Sequence, residues 1–251
     1  MRNLRFVVTA ALLASAAPAL ADDEQDWSGV YAGIQGGYTQ ARSATDVTLG
    51  GQWSAETASL RNFVTNNAGA RQRDGDVNAG AQIGFNYQAG ELVVGLEGEF
   101  TLLNGGQTVS RGPLTATPGL NYTITNTVDP KHMFALKGRA GLSLGDTLVY
   151  ASGGWAWTRA QLGLSLRSNG NYLKAGSVDR TLDGFIVGGG VEQKLTDNLS
   201  ARLSYDYSKQ GKETYATAYL PGSAFTSPAY TETAQQNLRL HLVRIGINYR
   251  F

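Results

Sequence analysis

The feature that most constrains the fold of this chain is a two-residue alternation of apolar side chains with small, polar or charged ones. It is clearest in residues 243–251, which place five apolar side chains on one face and Arg, Gly and Asn on the other. Because successive side chains of a β-strand point to opposite faces of the sheet, this period predicts strands. The eight segments that carry it are 31–41, 77–87, 92–100, 134–142, 148–159, 182–194, 199–207 and 243–251.

The connections between these segments fall into two classes of length. Residues 88–91, 145–147 and 196–198 are tight turns rich in Gly, Asp, Asn and similar residues. Short and long connections alternate along the chain, as in an up-and-down barrel whose short turns face the periplasm and whose long loops face outside. Loops of such length would count against a compact soluble domain. The long connections are residues 42–75, 103–131, 160–180 and 209–236.

The two faces of the predicted strands have a polarity that is unusual for a soluble protein. Glycine, which supplies 32 of the 251 residues, shares a face with the charged residues, opposite to the aliphatic and aromatic side chains. A membrane barrel turns its apolar face to lipid, and the interior of an eight-stranded barrel is narrow and filled. The sequence therefore predicts an all-β fold, an eight-stranded antiparallel up-and-down transmembrane β-barrel. Gly153 and Gly154 suggest a bulge, which leaves the facing of Trp155 and Trp157 open.

The N-terminal segment has the features of an export signal. Arg2 and Arg5 precede a short apolar run, and residues 19–21 fit the small-x-small cleavage rule. The formal charge of +1 gives no electrostatic basis for binding nucleic acid. The expected divisions of the chain are a signal peptide at 1–21, an acidic periplasmic tether at 22–26 and the barrel at 27–251.

Charged side chains on the inward face should pair with one another, since an isolated buried charge is costly. Glu97 and Glu99 lie as far above their turn as Arg139 and Lys137 lie before theirs, so we expect ion pairs between these strands. A three-residue turn would also place Glu192 directly opposite Arg202. The full set of predicted lumen charges is Glu97, Glu99, Lys137, Arg139, Glu192, Arg202, Asp206 and Arg244.

These inward charges have two interpretations, a salt-bridged plug or a selectivity constriction. An eight-stranded interior has no open aqueous channel, so we favour a largely plugged lumen and a structural or surface role. The first alternative is a small-solute porin with a narrow charged constriction. The second is a binder of haem or a host ligand through the long loops. This second alternative rests on aromatic residues of the fourth loop, Tyr215, Tyr219, Phe225 and Tyr230.

The chain offers little chemistry for an enzyme. Its two histidines, His132 and His241, have no neighbouring Ser and acid in the sequence. We therefore expect no catalytic residues, no cofactor and no metal site. The predicted loops carry a small excess of basic residues, which favours contact with the phosphates of lipopolysaccharide. We expect a monomer in contact with outer-membrane lipid and lipopolysaccharide, and no nucleic-acid partner.

Several segments resemble a known family. They are residues 27–33 at the first strand, 184–192 and 195–205 at the sixth and seventh, and 243–251 at the last. These are similar to the small OmpA-like outer-membrane barrels of the "porin family", and to their alphaproteobacterial surface-antigen branch most of all. The resemblance implies a Gram-negative outer membrane and insertion by the barrel-assembly machinery. It also implies a C-terminal assembly signal, here Ile245, Ile247, Tyr249 and Phe251.

Overall fold

The computed structural model describes residues 26–251, so the expected signal peptide and residues 22–25 of the expected tether lie outside the described residues. An α-helix, α1 (Ala58–Ala68), and a 3₁₀ helix (Gln52–Ala55) lie between the first two strands. In this part of the chain no helix is long and apolar enough to cross a membrane. The strands β1 to β10 are, in order, Gly29–Gly51, Ala70–Ala89, Leu92–Leu103, Gln107–Thr117, Leu120–Leu144, Thr147–Ser168, Leu173–Lys194, Leu199–Ala216, Ala218–Tyr219 and Tyr230–Arg250.

Eight of these strands form a closed antiparallel ring in the order β1, β2, β3, β5, β6, β7, β8 and β10. The ring closes because β10 pairs with β1 from Tyr31 opposite Arg250 to Gly51 opposite Tyr230. Beyond the end of β3, β4 occupies the next stretch of the edge of β5, and the two-residue β9 pairs with β7. The prediction of an all-β antiparallel barrel is therefore confirmed, with a ring that passes through eight strands.

Sequence neighbours in the strands differ sharply in exposure. Leu96 is 65% exposed and Glu97 is 1% exposed, and Ile245 and Arg244 show the same contrast at 66% and 1%. A soluble protein buries its large apolar side chains and exposes its charges. The reverse arrangement gives this barrel an apolar outer band that suits lipid, with polar side chains inside. Trp155, whose facing the sequence left open, points outward, as does Trp157.

The strands continue far beyond the segments predicted from the sequence. β5 has 25 residues and β10 has 21, about twice the roughly 10 residues that a tilted strand needs to cross a bilayer. The expected long loops are thus mostly strand, joined on that side by residues 52–69, 104–106, 118–119, 169–172 and 217–229. We call the strand segments on this side, away from the three short turns, the outer half.

The interior of the outer half combines an apolar cluster with buried polar side chains such as Gln72, Asn126 and Gln236. Leu162, Leu164 and Leu166 of β6 point inward together with Leu240 of β10, and all four are buried. They form one hydrophobic cluster with Val64 of α1. The expectation of glycine and charge on the inward face therefore holds mainly near the short turns, since the outer half adds apolar inward side chains. Beyond the lipid the outer surface meets water, so the hydrophobic effect favours apolar side chains inside.

Gly153 and Gly154 show where the barrel wall requires glycine. Both keep direct register with β5 and β7, so the expected bulge is wrong. A Cβ atom on Gly154 would lie 1.9 Å from the carbonyl oxygen of Leu136. On Gly153, which faces the other way, the nearest atoms to a Cβ would be Ile186 O and Val187 Cγ1, both at 3.8 Å. The close approach of β5 and β6 therefore excludes a side chain at Gly154, whereas Gly153 has room for one.

We expect Gly154→Ala to lower the free energy of unfolding by about 1–3 kcal/mol, because the added methyl group must push β5 away from β6. Gly153→Ala is the matched control and should change it by less than about 0.5 kcal/mol. The urea midpoint of the barrel refolded in lipid vesicles, followed by its heat-modifiable mobility on gels, measures both changes. Equal midpoints for the two variants would contradict this role of Gly154.

Candidate functional site: the charged lumen

Eight charged side chains meet inside the barrel, in the half near the short turns. Five strands supply them, and each lies on the inward face because its neighbours along the strand face lipid. All are at most 4% exposed. This lumen charge cluster consists of Glu97 and Glu99 of β3, Lys137 and Arg139 of β5, Glu192 of β7, Arg202 and Asp206 of β8, and Arg244 of β10.

Glu97 is contacted by three cations. Arg202 donates to both of its carboxylate oxygens, with Nη2 at 3.0 Å from Oε1. Lys137 Nζ lies 3.2 Å from Glu97 and 2.8 Å from Glu99. Arg139 Nη1 lies 3.6 Å from Glu97. The carboxylates of β3 and the cations of β5 therefore meet across the sheet, where Glu97 is in direct register with Lys137.

Arg244 extends the cluster towards the far side of the lumen. Its Nη2 lies 3.0 Å from Oε2 of Glu99 and also pairs with Asp206. Its Nη1 donates to the hydroxyl of Thr101 at 3.2 Å, and Lys137 Nζ lies 3.4 Å from Asp206. The contacts of β10 with β3 and of β5 with β8 join strands that are three apart in the ring, so they cross the lumen. The pair of Arg244 with Asp206 joins adjacent strands.

Glu192 has a different ionic partner from the residue that it faces. Register places it directly opposite Arg202. However, the Arg202 side chain reaches across the lumen to Glu97, and among the described residues no ion pair joins Arg202 to Glu192. Glu192 instead pairs with Arg139 at 3.0 Å and accepts a hydrogen bond from Ser200 at 2.6 Å. Long arginine side chains thus override direct register inside a narrow ring.

Two tyrosines that the sequence analysis missed belong to the same network. Tyr31 donates to Glu97 at 2.6 Å and accepts from Arg139 at 2.9 Å. The guanidinium of Arg139 lies over the ring of Tyr150 at 4.2 Å. A Cβ atom on Gly84 would lie 2.4 Å from the Tyr31 ring, so glycine makes room for the aromatic side chain. The alternation of inward and outward positions could have identified them, since both tyrosines share the inward face of their strands with small residues.

The lumen charge cluster is electrically neutral, with four cations and four carboxylates. Removing one partner of a buried pair costs about 3–5 kcal/mol because a charge stays behind uncompensated, whereas an intact pair adds little net stability. The cluster therefore holds the strands in one mutual arrangement. Chemically, it brings charged groups of opposite sign into contact inside the lumen, while the Nε atoms of Arg139, Arg202 and Arg244 are buried without a hydrogen-bond partner among the described residues.

A second buried ion pair lies in the outer half, where the sequence analysis expected loops. Lys174 Nζ lies 2.7 Å from a carboxylate oxygen of Glu232, and both side chains are buried. Trp53 Nε1 donates to Glu232 at 2.7 Å, and the hydroxyls of Tyr172 and Thr217 donate as well. These five residues, which we call the outer cap, tie together three connections of the outer half. The sequence could have predicted this group only if the strand boundaries had been known.

The outer cap controls the ionisation of its own members. Burial opposes the ionisation of Glu232, but hydrogen bonds from Lys174, Thr217, Tyr172 and Trp53 outweigh it and hold the pKa of Glu232 below its usual 4.5. Burial, with the carboxylate of Glu232, raises the pKa of Tyr172. Tyr172 therefore remains a hydrogen-bond donor and Glu232 an anion at neutral pH.

The histidines do not gather a catalytic set around them. His241 Nδ1 lies 2.8 Å from the hydroxyl of Tyr205, and the ring of His132 lies beside Phe100 with centroids 5.8 Å apart. Within residues 26–251 no group of three or more His, Asp or Glu side chains is placed to hold a metal ion.

The residues of the expected assembly signal line the outer face of the last strand. Ile245 and Ile247 are exposed on β10 next to Tyr249, and Phe251 follows the last residue of the strand. The rings of Tyr249 and Phe251 meet edge to face with centroids 5.2 Å apart. An apolar ridge therefore runs to the end of the chain on the face that meets lipid.

We expect Glu97→Gln to lower the free energy of unfolding by about 3–5 kcal/mol, because Arg202 and Lys137 lose a buried countercharge. Glu213→Gln makes the same chemical change in a surface pair with the exposed Arg180, 3.8 Å apart, and should cost at most about 1 kcal/mol. Equilibrium unfolding in urea, in phospholipid vesicles, measures both. If both variants lower the free energy of unfolding by the same small amount, the lumen pairs do not hold the barrel together.

The outer cap should loosen in acid. Because the pKa of Glu232 is below 4.5 in the folded protein, its contribution to stability is complete above that pH and is lost as the pH falls through the lowered pKa. Near-ultraviolet circular dichroism reports the packing of Trp53, and Trp53→Phe identifies its share of the signal. We expect a reversible acid transition in the parent protein and in the control Glu213→Gln. Glu232→Gln should be loosened already at neutral pH, and an unchanged transition in that variant would contradict the assignment.

Comparison with known proteins agrees with this architecture. The family model described as "Outer membrane protein beta-barrel domain" matches residues 7–251. The chain is 27% identical to the 25 kDa outer-membrane immunogenic protein of Brucella abortus biovar 1 (strain 9-941), over 100% of both chains. It is 29% identical to the 22 kDa outer membrane protein of Rhizobium leguminosarum bv. viciae, over 67% of this chain and 63% of that one.

Among solved structures, the outer membrane protein OprG from Pseudomonas aeruginosa is similar with a TM-score of 0.46 and 13% identity, over 91% of this chain and 100% of that chain. The resemblance to alphaproteobacterial outer-membrane barrels is confirmed by the family model and the relatives. The protein therefore resides in the outer membrane of a Gram-negative bacterium, and the chain belongs to the outer membrane β-barrel family.

Proposed function

We propose that the protein is a structural component of the outer membrane that keeps its lumen closed and presents its hairpins at the cell surface. The lumen charge cluster is the observation that carries this proposal. Its charged groups pair across the ring, and Arg202 of β8 reaches Glu97 of β3 at 3.0 Å. A constriction that selects solutes would instead need charges that face a continuous water path.

Two further layers support a closed lumen. Above the lumen charge cluster, the leucines of β6 and β10 occupy the interior of the outer half together with buried polar side chains, and they share one cluster with Val64 of α1. Beyond that, the outer cap joins Lys174 to Glu232 under Trp53. A polar solute would have to displace paired charges, then apolar packing, and then a second ion pair.

The length of the outer half supports a role at the surface. Strands of more than 20 residues carry the hairpins well past the lipid, and the Brucella relatives are named immunogenic proteins. We propose a monomer embedded in lipid and lipopolysaccharide. The ridge that ends at Tyr249 and Phe251 would serve as the signal to the barrel-assembly machinery. The chain would have no enzymatic activity.

The aromatic residues of the expected fourth loop support this structural role over haem binding. Tyr215 is buried and donates to Gln236 at 3.0 Å. Tyr230 packs edge to face on Trp53 with centroids 5.0 Å apart. Phe225 is exposed. Most of the aromatic surface that the loop-binding alternative relies on is therefore used inside the protein.

We expect residues 22–251, refolded into planar lipid bilayers, to give no stable conductance steps, because paired and apolar side chains fill the lumen. Heat-modifiable mobility of the same preparation verifies that the protein is folded and inserted. Swelling of proteoliposomes in small sugars is the second readout, with a general porin as the positive control.

Two outcomes would contradict the closed lumen. Stable steps whose size or ion selectivity changes in Glu97→Gln or Lys137→Met would identify a porin with the lumen charge cluster as its constriction. Steps that neither substitution alters would place the path for ions elsewhere in the barrel.

A further inference from the structure

Four basic side chains lie side by side on the outer surface of four adjacent strands. Arg42 of β1 is directly opposite Arg73 of β2 and Arg239 of β10, and Arg239 is directly opposite Lys209 of β8. All four are exposed. Adjacent strands lie about 4.8 Å apart, so these residues extend about 14 Å around the barrel wall. We call Arg42, Arg73, Arg239 and Lys209 the basic row.

The basic row lacks countercharges. Across the described part of the chain, none of its four members takes part in an ion pair. The next carboxylate on this face of β1 is Asp46, four residues further from the short turns, and it makes no ion pair either. Like charges directly opposite one another in neighbouring strands destabilise a sheet. A cost of this kind, repeated over three contacts, indicates that an external anion neutralises the row.

The opposite wall of the barrel shows what a self-sufficient arrangement looks like. There the exposed Arg159 of β6 lies 3.0 Å from Asp179 of β7. Lys131 of β5 pairs with Asp129. The chain therefore supplies carboxylates to these two exposed cations, whereas no member of the basic row makes an ion pair in the described part of the chain.

The basic row lies just beyond the lipid-facing band. Tyr38 precedes Arg42 by four residues on β1 and Tyr205 precedes Lys209 by four on β8, and both rings are about half exposed. Exposed aromatic residues mark the boundary between lipid tails and headgroups. Arg42 donates from Nε and Nη2 to Oε1 of Gln40 at 3.1 and 2.9 Å, which directs its guanidinium towards the membrane. The free charges are thus at the level of the outer-leaflet headgroups.

We propose that the basic row binds the phosphate groups of lipopolysaccharide in the outer leaflet. Arginine matches phosphate with two parallel hydrogen bonds, and three of the four cations are arginines. A ligand with several phosphates fits the row, because one anion cannot neutralise four cations spread around the wall. The bilayer fixes such a ligand at the height where the cations lie. This site is on the outside of the barrel and does not depend on whether the lumen conducts.

The test compares two variants that lose the same charge. The row variant carries Arg42→Gln, Arg73→Gln, Arg239→Gln and Lys209→Gln. The control variant carries Lys131→Gln, Arg159→Gln, Arg167→Gln and Arg180→Gln, all exposed on β5, β6 and β7. Each protein is refolded in detergent and titrated with lipopolysaccharide that has a phosphorylated lipid A. We expect the row variant to bind at least about tenfold more weakly and the control to stay within about twofold of the parent protein.

Chemical changes to the ligand separate its possible sources. Dephosphorylated lipopolysaccharide should bind the parent protein and the row variant equally weakly. Displacement of lipopolysaccharide by millimolar inorganic phosphate would overturn the lipid as occupant in favour of a free anion. Tighter binding of a soluble sulfated polysaccharide, lost in the row variant, would overturn it in favour of a macromolecular partner. Equal losses in the row and control variants would show that total charge, and not the row, attracts the lipid.

Folding of each variant is verified by heat-modifiable mobility before the titration. If the row variant does not fold, the double variant Arg42→Gln with Arg239→Gln replaces it. That variant removes the central pair of the row and should weaken lipopolysaccharide binding at least about threefold. Unchanged affinity in a folded double variant would overturn the proposal. The conductance of the parent protein is a separate measurement and does not bear on this result.

Discussion

Closure of the sheet onto itself is the constraint on which the rest of this structure depends. Lipid offers no hydrogen bonds to an unpaired strand edge, so β10 must pair with β1 throughout the membrane. With eight strands the ring is narrow, and inward side chains meet across it. Gly154 lets neighbouring strands approach closely, and Gly84 leaves room for the ring of Tyr31. Tyr31 and the cations that pair with Glu97 occupy the space inside the ring.

A single strand of this barrel faces lipid along one part of its length and water along another. In β6, Trp155 points outward into the apolar band, whereas Leu162 points inward among other apolar side chains. The sense of the alternation therefore inverts where the strand leaves the membrane, because water replaces lipid on the outer surface. The ion pair of Lys174 and Glu232 lies at the far end of this apolar interior. The protein thus combines an inside-out barrel with a conventional hydrophobic core.

The sequence alone predicted the closed ring and the inward-facing residues. It did not predict where the strands end or which lumen charges pair with each other. The alternation of residues 243–251 and the three short turns determine strand order and parity, so Glu97 and Arg244 were placed inside correctly by pattern. The outer half was missed because its strands are rich in Thr, Ser and Asn and their apolar residues face inward. Partner choice was missed for Arg202 because a long side chain can cross the lumen, which depends on rotamers and not on register.

The lumen charge cluster also limits how this protein can change over generations. Each carboxylate contacts cations from other strands, so the effect of a substitution at Glu99 depends on what stands at Lys137, Arg202 and Arg244. Drift at one of these positions is harmful until a second position compensates. Apart from the members of the outer cap, the described residues of the outer connections have no such ties to a buried ion pair. Substitutions on the exposed surface therefore meet fewer constraints of this kind, while substitutions in the interior need compensating replacements.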